Sequence, residues 1–61
     1  MNPAEYNPKD LPLKNGFRFI GISDDDQEMV CEVVQDPETS THYTVGIDYC
    51  HLIGWRHYES R

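Results

Sequence analysis

The apolar positions of this chain fall into four short runs separated by polar turns. Phe17 to Ile22 is rich in aromatic and β-branched residues and predicts a first strand. Glu28 to Gln35 predicts a second, Thr41 to Ile47 a third and His51 to Tyr58 a fourth. Ser23 to Gln27 reads as the first turn. Asp36-Pro37-Glu38-Thr39-Ser40 reads as the second, because Asp bonds the backbone ahead of it and Pro37 presets the dihedral of a type I turn. Pairing Ser23 with Gln27 sets Phe19 opposite Cys31, Phe17 opposite Val33 and Arg18 opposite Glu32. A five-residue second loop, Asp36 to Ser40, sets Val33 opposite Tyr43, Cys31 opposite Val45 and Met29 opposite Ile47. One face then carries Phe17, Phe19, Met29, Cys31, Val33, Tyr43, Val45 and Ile47, closed by Ile53 and Trp55. The other carries Arg18, Glu28, Glu32, His42 and Thr44, with Ile20 and Val30 as an apolar pair. Slipping a hairpin by one residue exchanges the two faces, so the pattern favours this register. The expected fold is mainly β: a three- to four-stranded antiparallel meander, long enough to curl into a small SH3-like or partial barrel.

Residues 1–15 form a separate, extended N-terminal arm ahead of a single β domain at 16–61. The arm holds Asn2-Pro3 and Asn7-Pro8, each followed by an acid two residues on. Asn as N-cap, Pro at the first helical position and an acid in the first turn make a helix start. Pro8 and Pro12 stop both pieces, so the arm is flexible or makes one turn at most. Tyr6, Leu11 and Leu13 are the residues able to dock on the sheet.

Length narrows the picture. A chain of 61 residues makes one domain whose core is a single layer of side chains, with stability of about 3–5 kcal/mol. Two cysteines, Cys31 and Cys50, are too few for a disulfide scaffold. The polar, proline-rich start does not resemble a signal peptide, and no apolar run is long enough to cross a bilayer. The expected location is cytoplasmic, with no membrane association.

Charge changes the picture further. The formal net charge is −6. Between Phe19 and Trp55 there is no Lys or Arg, while eight carboxylates lie there: Asp24, Asp25, Asp26, Glu28, Glu32, Asp36, Glu38 and Asp48. Such a surface repels nucleic acid and anionic membrane and attracts basic proteins.

Chemistry finds little purchase. Asp24-Asp25-Asp26 lacks the alternating ligands and central Gly of an EF-hand loop and reads as a solvated turn. His42, Cys50, His51 and His57 contain no zinc knuckle. Cys50 and His51 adjoin, but strand neighbours point to opposite faces. No metal, no cofactor and no catalytic residue is expected, and the protein is expected not to be an enzyme. Trp55 is expected in the core. Arg56 and Tyr58, on the opposite face, are candidate binding anchors, since Arg and Tyr are favoured at hot spots.

These features point to a non-enzymatic regulator that binds a protein with a basic surface through Asp24, Asp25, Asp26, Glu28, Glu32, Arg56 and Tyr58. In size, acidity, lack of motif and short flexible arm, the chain is similar to the small inhibitors that bacteriophages make against host machinery. That resemblance implies inhibition of bacterial transcription, with RNA polymerase as partner. It carries over no functional residue. The alternatives are a small nucleic-acid-binding β-module, which would need a basic face, and an accessory structural subunit.

Overall fold

The structure, a computed structural model, describes residues 5–59. The Asn2-Pro3 helix start lies outside the described residues. Asn7-Pro8 does form one 3₁₀ turn, Pro8–Asp10, with the Asn7 side chain accepting from Lys9 N. Four strands follow: β1 (Arg18–Ser23), β2 (Glu28–Gln35), β3 (His42–Val45) and β4 (Leu52–His57). They make one open antiparallel sheet in the order β3-β2-β1-β4. The first three strands form a meander. The fourth crosses back to lie beside β1, the spatial order of a Greek key.

The β1–β2 register is the one the pattern predicts: Arg18 faces Glu32 and Phe19 faces Cys31. The β2–β3 register is one residue off. Val33 pairs with Thr44, Val34 with Tyr43 and Glu32 with Val45. The cause is loop length. Asp36 N donates to Thr41 O, so the loop is Pro37–Ser40, four residues rather than five. Asp36 Oδ1 accepts from Glu38 N, and Ser40 closes the loop at φ 62°. The slip inverts β3. Tyr43 and Val45 turn outward, each 51% exposed, while His42 and Thr44 take the half-buried side. Thr44 tolerates this because its hydroxyl donates to Ile47 O at 2.7 Å.

Met29 is also outside the core, at 47% exposure. A bulge corrects the reading of β4. Ile22 pairs with Gly54 but Ser23 pairs with Leu52, so Ile53 is an extra residue in the strand. An inserted residue breaks the period of two. Leu52 and Trp55 therefore share the inner face, and Ile53 is pushed out at 54% exposure.

The core is Leu11, Phe19, Cys31, Val33, Ile47, Leu52 and Trp55, with Phe17 packed against it. Leu11 comes from the arm and Ile47 from the β3–β4 connection; together they cover the inner face. Gly46 (φ 109°) lets the chain turn so that Ile47 reaches inward. Gly21 leaves bare backbone on which Cys31, Leu52 and Ile47 close. Trp55 fills the core as its alternation suggested. Its indole Nε1 donates to Asn7 O at 3.0 Å, which fastens the arm to β4. Both cysteines are free, Cys31 buried and Cys50 exposed.

Candidate protein-binding surface

The outer face of the sheet follows from the two ladders. β1 contributes Arg18, Ile20 and Ile22; β2 contributes Glu28, Val30, Glu32 and Val34. β3 contributes Tyr43 and Val45, and β4 contributes Arg56 opposite Ile20. Ile22 is buried outside the main cluster, against Gly54. The apolar residues of this face are Ile20, Val30, Val34, Tyr43 and Val45. No described strand or helix forms a second layer over it.

Glu32 interrupts this group, between Val30 and Val34 on β2 and opposite Val45. Arg18 lies 3.8 Å from Glu32, and Arg56 pairs with Glu28. Both pairs cross between strands, so each places a positive and a negative group on the same surface. Of the predicted anchors, Arg56 is thus joined to Glu28 on the outer face. Tyr58, half-buried, lies just past the end of β4.

The hairpin tip stands apart, at one end of the sheet. Ser23 and Gln27 close it through Ser23 N to Gln27 O at 2.9 Å. Asp25 accepts a hydrogen bond from Ser23 Oγ, which also accepts from Gln27 N at 3.2 Å. The Ser23 hydroxyl holds the Asp25 carboxyl below its ordinary range, aided by backbone donors and by His51 nearby. Asp24 Oδ2 lies 3.2 Å from His51 Nδ1, and Asp24 N donates to His51 O. This ties the tip to the 3₁₀ turn at Tyr49–His51. Asp26, at φ 65°, forms the turn itself. The three aspartates are therefore separately held and exposed. Among the described residues, no three His, Cys, Asp or Glu side chains converge as a metal site. A shallow groove of about 460 Å³ runs from this tip past Met29 to Asp48 and His51.

The structure thus divides the seven predicted site residues. Asp24, Asp25 and Asp26 occupy one end; Glu28, Glu32 and Arg56 share the outer face; Tyr58 lies beyond it. Sequence reasoning missed Val34, Tyr43 and Val45, which complete the apolar group of the outer face. The signal was the second apolar phase of β2, Val30 and Val34, which matches Tyr43 and Val45 once the loop is counted as four residues. No described helix is long and apolar enough to cross a membrane. Comparison with known proteins gives no match: no family model, no curated protein and no solved structure is similar to this chain.

Proposed function

We propose that this protein acts by binding another protein, as a non-enzymatic regulator, through the outer face of its sheet and the acidic tip beside it. The observation that carries the reading is the uncovered group of apolar side chains Ile20, Val30, Val34, Tyr43 and Val45, with the charge pairs Arg18–Glu32 and Arg56–Glu28 on the same face. An exposed apolar patch rimmed by polar groups is the usual mark of a protein interface. The acidic tip adds long-range attraction for a basic partner and speeds encounter. The finer form of the proposal is inhibition of bacterial transcription, with RNA polymerase bound through a basic surface. Small size, acidity and the lack of a motif support it by their likeness to phage inhibitors in general.

The test is binding to purified bacterial RNA polymerase, with association rates measured against ionic strength for wild type and for Asp24→Asn/Asp25→Asn/Asp26→Asn. Asparagine keeps the acceptor oxygens that Ser23 and His51 use and tolerates the positive φ of Asp26. The fold is therefore spared. Association of the triple variant should slow at low salt and converge with wild type as salt rises. Absence of binding would remove RNA polymerase as partner. Equal rates at every salt concentration would reduce the acidic tip to a solubility device.

A further inference from the structure

The sheet has two edges, and the chain treats them differently. Beside β4, Tyr6 exchanges two backbone hydrogen bonds with Trp55, Tyr6 N to Trp55 O at 2.7 Å and Trp55 N to Tyr6 O at 3.1 Å. That edge also carries the bulge at Ile53. Beside β3, no described residue pairs.

The free groups on β3 can be counted from its ladder. Asp36 N donates to Thr41 O, and antiparallel ladders alternate bonded and non-bonded pairs. Val34–Tyr43 and Glu32–Val45 are then the bonded pairs, and the N–H and C=O of His42 and Thr44 point away from the sheet. Gln35 N, opposite His42, donates instead to Asn15 Oδ1 at 3.0 Å. Soluble proteins blunt such edges with Lys, Pro or bulges. His42-Tyr43-Thr44-Val45 has none of these, its one such device being its shortness, four residues.

Both sides of the edge offer apolar contact. Tyr43 and Val45 stand exposed on the outer face. On the inner side a small cleft of about 40 Å³ is lined by Leu11, Leu13, Val33, His42, Thr44 and Tyr49 as well as Tyr43. Leu13 is 66% exposed there. The two ends of the edge carry acids: Asp36 and Glu38 at the loop, Asp48 past Gly46. Lys9, from the arm, lines the adjoining groove with Leu13 and Tyr49.

We propose that the β3 edge receives an extended segment of a partner protein as a fifth strand, with apolar β-branched residues in the middle and Lys or Arg at its ends. This rests on the protein-binding reading and names the kind of segment bound. Strand addition supplies affinity through the main chain and specificity through alternate side-chain pockets. A second copy fits worse. Antiparallel self-pairing sets Asp36 and Glu38 of one chain beside Asp48 of the other, like charge against like.

The test uses the full ¹⁵N-labelled chain and the peptide Lys-Val-Thr-Val-Thr-Val-Lys, with its Glu-ended counterpart. The Lys-ended peptide should shift the amides of His42–Val45 and Leu13 saturably. The Glu-ended peptide should bind about tenfold or more weakly at low salt. His42→Pro removes one outward N–H at the first position of an edge strand, where Pro is tolerated, and should abolish binding. A peptide N-methylated on alternate amides should fail against unaltered protein, which separates blocked pairing from any misfolding of the variant. Unmoved β3 amides, shifts confined to the hairpin tip, or equal binding of the methylated peptide would overturn the proposal. So would a dimer in sedimentation that His42→Pro dissociates. The triple Asn variant should retain peptide binding. Loss of the peptide result with partner binding intact would sink the edge assignment alone.

Discussion

Tyr43→Ala distinguishes the observed register from the one that simple alternation favours. In the structure Tyr43 lies on the outer face and is 51% exposed. Fully burying a large apolar side chain is worth about 1.5–3 kcal/mol, so truncating a half-exposed one should cost about 1 kcal/mol. Had Tyr43 faced the core opposite Val33, the same truncation would leave a cavity and cost about 3–5 kcal/mol. That is the entire stability expected of a chain this short, about 3–5 kcal/mol. The two registers therefore predict a folded and an unfolded protein. Thermal unfolding by circular dichroism reads the difference: the observed register gives a cooperative transition lowered by about 4–8 °C, on the scale of small domains. Phe19→Ala is the control. Phe19 is fully buried at 0% exposure, and its truncation should abolish the transition. Loss of cooperative unfolding in Tyr43→Ala would refute the outward placement, and with it the apolar outer face.

Gly21→Ala should destabilise although it adds one methyl, because that carbon would sit 2.8 Å from Cys31 Sγ and 3.0 Å from Leu52 Cδ1. Overpacking costs about 1–3 kcal/mol, and Cys31→Ala should recover part of it in a double-mutant cycle; strict additivity in urea unfolding would show that the two do not touch. Asp25 should titrate below ordinary aspartate, because its folded pKa is lowered mainly by the Ser23 hydroxyl. Its contribution to stability is then present above the unfolded pKa and lost as pH falls through the lower folded one. Carboxyl NMR titration of wild type and Ser23→Ala checks this; an ordinary midpoint in wild type would contradict the hydrogen bond.

The first hairpin was legible because both of its strands agree: charge on either wrong face fixes Arg18 opposite Glu32. The second was not, because β2 has two apolar phases, Met29-Cys31-Val33 and Val30-Val34, and β3 carries only the weakly polar His42 and Thr44 against Tyr43 and Val45. With either phase tolerable, the loop decided. That decision turns on Ser40 at φ 62°, a conformation for which serine gives no signal. In β4 the bulge at Ile53 shifted the phase between Leu52 and Trp55, and periodicity cannot report an inserted residue. Asp24, Asp25 and Asp26 were readable as an exposed turn, but the tether of Asp24 to His51 depends on a contact 27 positions apart in sequence, whereas that of Asp25 to Ser23 is local.

The exposed apolar residues of the outer face admit two explanations, and the choice of residues bears on them. The described residues build a single four-stranded sheet, and no described strand or helix covers its outer face. Some exposed β-branched surface follows from strand formation alone. Thr, however, satisfies strand propensity equally well and is polar. Strands selected only for solubility would carry Thr, Lys or Glu at positions 30, 34, 43 and 45, where this chain has Val30, Val34, Tyr43 and Val45. The charges that are present pair across strands, Arg18 with Glu32 and Arg56 with Glu28, so the one carboxylate among these apolar residues, Glu32, carries its own counter-charge. Val34, Tyr43 and Val45 reach the open β3 edge, so a segment paired to β3 would lay its alternate side chains directly beside Tyr43 and Val45.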